Sequence, residues 1–143
     1  MMIPSRFWFA VIMCIFAHVI DDYFLQSACL CDLKQKSWWE KKLLRATETE
    51  RRMYRHDYIA ALLCHAMSWS AAIMLPLVIM ERIDNGTTAY GFYCVEFVLN
   101  TFSHAVTDHA KANMRIINLI TDQTMHMAQI FLTAMLWYAV TSR

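Results

Sequence analysis

Residues 7–26 read FWFAVIMCIFAHVIDDYFLQ, an apolar run that closes on His18, Asp21 and Asp22. A helix needs about 20 mainly apolar residues to cross a bilayer, and 7–25 supplies them. A signal peptide would end in a small-x-small cleavage site, whereas this run ends in two aspartates, so it reads as a retained first helix. Working outward, three further windows qualify: 58–80 with Pro76 near its end, 89–106, and 116–140 with two more polar opening turns. Only short polar turns, 81–88 and 107–115, separate the last three, so neighbours should run antiparallel. The expected fold is all-α: one integral membrane domain over 1–143, a four-transmembrane-helix up-and-down bundle.

Composition agrees with a lipid-facing chain. It is 58% hydrophobic and 17% charged, with two glycines, two prolines and a net charge of +1. Nothing in that balance points to nucleic acid. The five cysteines show no CxxC pair and are read as reduced, with no structural disulfide. Basic residues set the orientation. Lys34, Lys36, Lys41, Lys42, Arg45, Arg51, Arg52 and Arg55 crowd the first loop and Lys111 and Arg115 the third, against Arg6, Arg82 and Arg143 opposite. The first loop therefore belongs in the cytoplasm, and both termini outside it. Trp38, Trp39, Leu43 and Leu44 among the lysines fit an amphipathic segment lying on anionic lipid, or equally a solvated helix with one apolar edge.

The polar residues inside the spans are the chemical signal, because a charged group there costs on the order of 2–3 kcal/mol on insertion scales. His18 and Asp22, His104 and Asp108, and Asp122 and His126 are each four apart, which stacks both side chains on one helix face, about 6 Å along the axis. All three pairs, with His65, fall at the cytoplasmic ends of their helices. Neutral imidazole and carboxylate are ligands for zinc and related divalent ions. Seven candidates, His18, Asp22, His65, His104, Asp108, Asp122 and His126, suit one ion with backing carboxylates, or two ions about 3.5–4 Å apart. The competing reading is an interhelical hydrogen-bond network without metal, each bond adding about 0.6 kcal/mol. Metal is preferred because such a network leaves several buried carboxylates short of counter-charge. Asp22 and Asp122 are the candidate general bases. Gln26, Gln123, Lys111 and Arg115 are the candidate substrate contacts. Asp21 is expected to face water, and His56 and His109 to sit in solvated loops. Glu96, Asn100 and His104 make a polar stripe on the third helix, in which Glu96 reads as a neutral, hydrogen-bonded acid.

Four segments carry a family resemblance: HVIDDYFLQ at 18–26, LCHA at 63–66, HAVTDHAK at 104–111 and DQTMH at 122–126. In order and spacing they resemble the small membrane family described as domain of unknown function 3307, found in bacteria and their phages. That family is similar in motif style to membrane-bound, metal-dependent hydrolases of bacterial DNA-damage responses. The resemblance implies the seven His and Asp residues as a shared polar centre, with Lys111 and Gln123 beside it. The expected activity is metal-dependent hydrolysis at the cytoplasmic membrane face, on a phosphoester or lipid-linked substrate. The alternative is a non-enzymatic membrane protein: a metal or proton conduit, or a factor that modifies the host envelope. Pairing with a second copy of the chain is compatible with its size.

Overall fold

A computed structural model describes residues 5–85 and 88–142. Arg143, counted above among the outer cations, and Gly86 and Thr87 of the turn at 81–88 lie outside the described residues. The described residues form helices and no strand. Helix α1, Ser5–Ile20, continues as a π turn, Asp21–Leu25, and stops where Gln26 turns extended. Three short helices fill the basic loop: α2, Ala28–Leu33, α3, Lys36–Lys42, and α4, Glu48–Tyr54. Ser27 caps α2 by accepting the Leu30 N–H. Thr47 and Glu50 form a capping box at α4, each side chain taking the other's backbone donor. Trp39 is half-buried within the loop. Its Nε1–H donates to the Leu33 carbonyl at 2.8 Å and its ring stacks on Tyr54, while Leu44 stays exposed.

Helix α5, Asp57–Asn85, runs through Pro76, and α7, Leu119–Thr141, starts at the Asn118 cap. Helix α6, Tyr90–His109, passes into a second π turn, Ala110–Met114. The turn expected at 107–115 is therefore mostly helix. Ala110, Lys111, Ala112 and Met114 are good helix formers, with no Gly or Pro to break the run. His109 accordingly is not in a loop: it ends α6, stacked on Tyr58 and hydrogen-bonded with Asn113. The run stops at Arg115, whose φ of 57° is left-handed, and whose N–H, with that of Ile116, reaches the Ala110 carbonyl.

Helix α5 packs against α1 and α6, and α7 against the same two. Ala10, Cys14, Trp69, Ile73, Leu77, Ile130 and Trp137 form the apolar core. Around it the usual order inverts. His18, His65, His104, His126 and Asp122 are fully buried, while Phe9, Ile12 and Phe16 on α1, Leu75 on α5, Phe102 on α6 and Leu132 on α7 face outward. Among the described residues two stretches, Ser5–Leu25 and Glu48–Asp84, are long and apolar enough to cross a membrane. Helices α6 and α7 have the length, but their buried polar stripes lower their mean hydropathy below that level.

Candidate metal centre

Asp21 and Asp22 lie three and four residues after His18, so both continue the buried face of α1 into its closing π turn. Asp21, expected in water, is buried: its Oδ1 accepts the Ser68 hydroxyl at 2.7 Å and its Oδ2 lies 3.9 Å from Nδ1 of His65. Asp21 is the carboxylate behind His65. Asp22 points into the cluster itself, its Oδ1 3.4 Å from Nε2 of His65.

Four helices converge here. Nε2 of His65 lies 3.1 Å from Nε2 of His104 and 3.5 Å from Oδ2 of Asp108. On the other side of Asp108, Oδ1 lies 3.4 Å from Nε2 of His126 and 3.8 Å from Nε2 of His104, and Oδ1 of Asp122 lies 3.5 Å from Nε2 of His126. Bonds of about 2.0–2.1 Å to a tetrahedral zinc put neighbouring donor atoms about 3.3 Å apart. The observed separations bracket that value. Two groups able to hold an ion result, Asp22–His65–His104 and His104–Asp108–His126, with His104 common to both. Asp22 Oδ1, Asp122 Oδ1 and both ring nitrogens of His126 are buried without a hydrogen-bond partner. Buried atoms of this kind are normally satisfied, and a divalent cation in the first group would satisfy Asp22 Oδ1 and one in the second a ring nitrogen of His126. The donor set fits.

His18 stands outside both groups. Trp69 Nε1–H, which can only donate, reaches Nδ1 of His18 at 2.7 Å. Nδ1 is therefore the unprotonated nitrogen, and Nε2–H donates to Oε1 of Gln123 at 3.2 Å. The Gln123 amide in turn donates to Oδ2 of Asp122 at 3.1 Å. His18 thus orients Gln123 and, through it, Asp122, instead of presenting a free nitrogen.

No protein-family model, curated protein or solved structure matches this chain. The site therefore rests on its own geometry. Six of the seven expected metal residues bring a donor atom into the cluster, and His18 backs it. Of the expected substrate contacts, Gln26, Lys111 and Arg115 line a cleft of about 380 Å³ with Asp108 in its wall. Gln123 faces His18 and Asp122.

Three participants escaped the sequence reading. Lys34 donates to Oδ2 of Asp108 at 2.6 Å, mirroring Lys111 on Oδ2 of Asp122 at 2.6 Å. Nothing distinguished it from the other loop cations. Ser68 had no signal either. Trp69 did: it lies four residues after His65, the same spacing that singled out the His–Asp pairs, and its ring contacts His18, His104 and His126.

Proposed function

We propose that this chain is a metal-dependent hydrolase of a bacterial inner membrane, acting at the cytoplasmic face on a phosphoester or lipid-linked substrate. Its four long helices span the bilayer with both termini periplasmic, and the first loop rests on the cytoplasmic leaflet. The observation that carries this reading is the convergence of buried imidazole nitrogens and carboxylate oxygens from four helices, several without any hydrogen bond. The outward-facing apolar residues on the same helices support lipid as the surroundings, because water-soluble monomers rarely expose contiguous apolar surface. The four segments that supply the cluster are those that resemble the family of domain 3307 and its hydrolase-like relatives.

Zinc or a related divalent ion, one or two per chain, would be held by Asp22, His65, His104, Asp108 and His126, and would supply a coordinated water of lowered pKa, about 7, and Lewis acidity toward the ester. The protein's own groups divide the remaining work. Asp122 is fully buried, with Oδ2 held by Lys111 and Gln123, which suits a fixed ligand. Asp22 retains 13% side-chain exposure although its Oδ1 is buried in the cluster, so its Oδ2 is the oxygen placed to accept a proton from water. Lys111 and Arg115 line the approach.

The conduit reading draws on the buried stripe of Glu96 and Asn100, where Asn100 meets Glu96, Gln129 and Thr133. Against it stands Trp69. Its buried ring stacks on His104 with centroids 4.3 Å apart and floors the cluster on the core side. A one-sided pocket is favoured.

Elemental mass spectrometry of the purified chain tests the proposal. The expected result is zinc or a similar ion in wild type, loss of all of it in His104→Ala, and a larger loss of hydrolysis than of metal in Asp22→Asn. A metal-free wild-type protein purified without chelator would end the hydrolase reading.

A further inference from the structure

The cleft beside the metal cluster has features that the cluster does not use. It is lined by Gln26, Lys34, Lys111 and Arg115, contributed by the end of α1, the basic loop and the end of α6, with Asp108 in the wall. Lys34 and Lys111 each give one N–H to a carboxylate of the cluster, which leaves each ammonium further donors. The Arg115 guanidinium makes no hydrogen bond or ion pair among the described residues. The Gln26 Nε2 is buried and equally without a partner. Three cations and a spare amide donor around one small space are complementary to an oxyanion with several free oxygens.

The surroundings specify what that oxyanion is attached to. Gln26 directly follows Phe24 and Leu25, which are 77% and 67% exposed, and Arg115 directly precedes Ile116, which is 67% exposed. Exposed apolar side chains thus adjoin two of the cleft's residues in the chain, one set on each side of it. An inorganic ion makes no use of such flanks, whereas an amphiphile uses both parts.

We propose that this cleft is a phosphate subsite for a phosphorylated lipid. Arg115, Lys34, Lys111 and the Gln26 amide hold a terminal phosphate, and the apolar chain leaves past Phe24, Leu25 and Ile116. The inference deepens the hydrolase reading, from which it takes the cleft's role as a substrate site. Lys34 joins the phosphate-binding set, and its bond to Asp108 ties occupancy of the cleft to the metal cluster.

The test uses the full chain in phosphatidylcholine nanodiscs, titrated with a short-chain phosphatidic acid, with the matching diacylglycerol, and with inorganic phosphate. The expected result is binding of the lipid phosphate at least about tenfold tighter than either comparator. Arg115→Gln should weaken it about tenfold, the size expected for one charge-assisted hydrogen bond, and Arg115→Lys should recover part. Metal content should be unchanged in both variants. Equal binding of diacylglycerol, or full affinity in Arg115→Gln, overturns the subsite. Equal affinity for inorganic phosphate overturns the lipid part and assigns the cleft to a soluble phosphate. Because binding is read without turnover, the two proposals separate. Phosphate binding to a metal-free chain removes the hydrolase and keeps the subsite, and a metal-loaded chain blind to phosphate does the reverse.

Discussion

The Nε1–H of Trp69 points at Nδ1 of His18 across 2.7 Å, and this bond sets the direction of every hydrogen bond beyond it. An indole cannot accept, so His18 must, and its other nitrogen then donates to Gln123, which donates to Asp122. Trp69→Phe keeps an aromatic ring beneath His104 but removes the donor. The His18 tautomer is then no longer fixed, and Asp122 loses its oriented support. Loss of backing hydrogen bonds typically weakens a metal site 10–100-fold. The expected outcome is affinity for added divalent metal about tenfold lower by chelator competition, with a stability loss of about 1 kcal/mol. Unchanged affinity would show that the chain from Trp69 to Asp122 is ornament to the site.

The His–Asp pairs were legible because helical geometry turns a spacing of four into a shared face. Asp21 was missed although the same geometry contains it: it lies three residues after His18 and seven after Cys14, on the buried face of α1, but only spacings of four were followed. The rules themselves failed where a helix outlasts its apolar pattern. The second π turn carries α6 past the point where apolar periodicity stops, because local propensity continued the helix after hydrophobicity had ended. Lys34 was invisible for another reason. Its partner, Asp108, is 74 residues away, and a loop cation has no periodicity to give it a direction.

Arg115 occupies a backbone conformation that suits glycine. Its φ of 57° closes the π turn of α6, and a side chain in that region costs about 1–2 kcal/mol relative to the right-handed form. Arg115→Gly removes that cost and also removes the uncommitted cation of the cleft. The variant should therefore be more stable by about 1 kcal/mol in denaturant or thermal unfolding, yet bind phosphate more weakly. A gain in stability with undiminished phosphate binding would leave the arginine without a reason to be there.

At the end of the bundle opposite the histidines, a second polar group ties the helices together. Arg6 on α1 pairs with Asp84 on α5 at 2.8 Å, and its guanidinium lies over the Trp137 ring of α7. Buried Glu81 accepts the Ala89 backbone N–H at 3.0 Å, joining the end of α5 to the start of α6. Glu81→Ala leaves that donor unpaired and should cost about 1–3 kcal/mol, read as a lower unfolding midpoint in detergent. Glu81→Gln retains an acceptor and should cost less. Because none of these residues reaches the cluster, affinity for added divalent metal should stay at the wild-type level in both variants. Weaker metal binding in Glu81→Gln, where the fold is spared, would mean that the two ends of the bundle are coupled, and that the centre is not held by its own four segments alone.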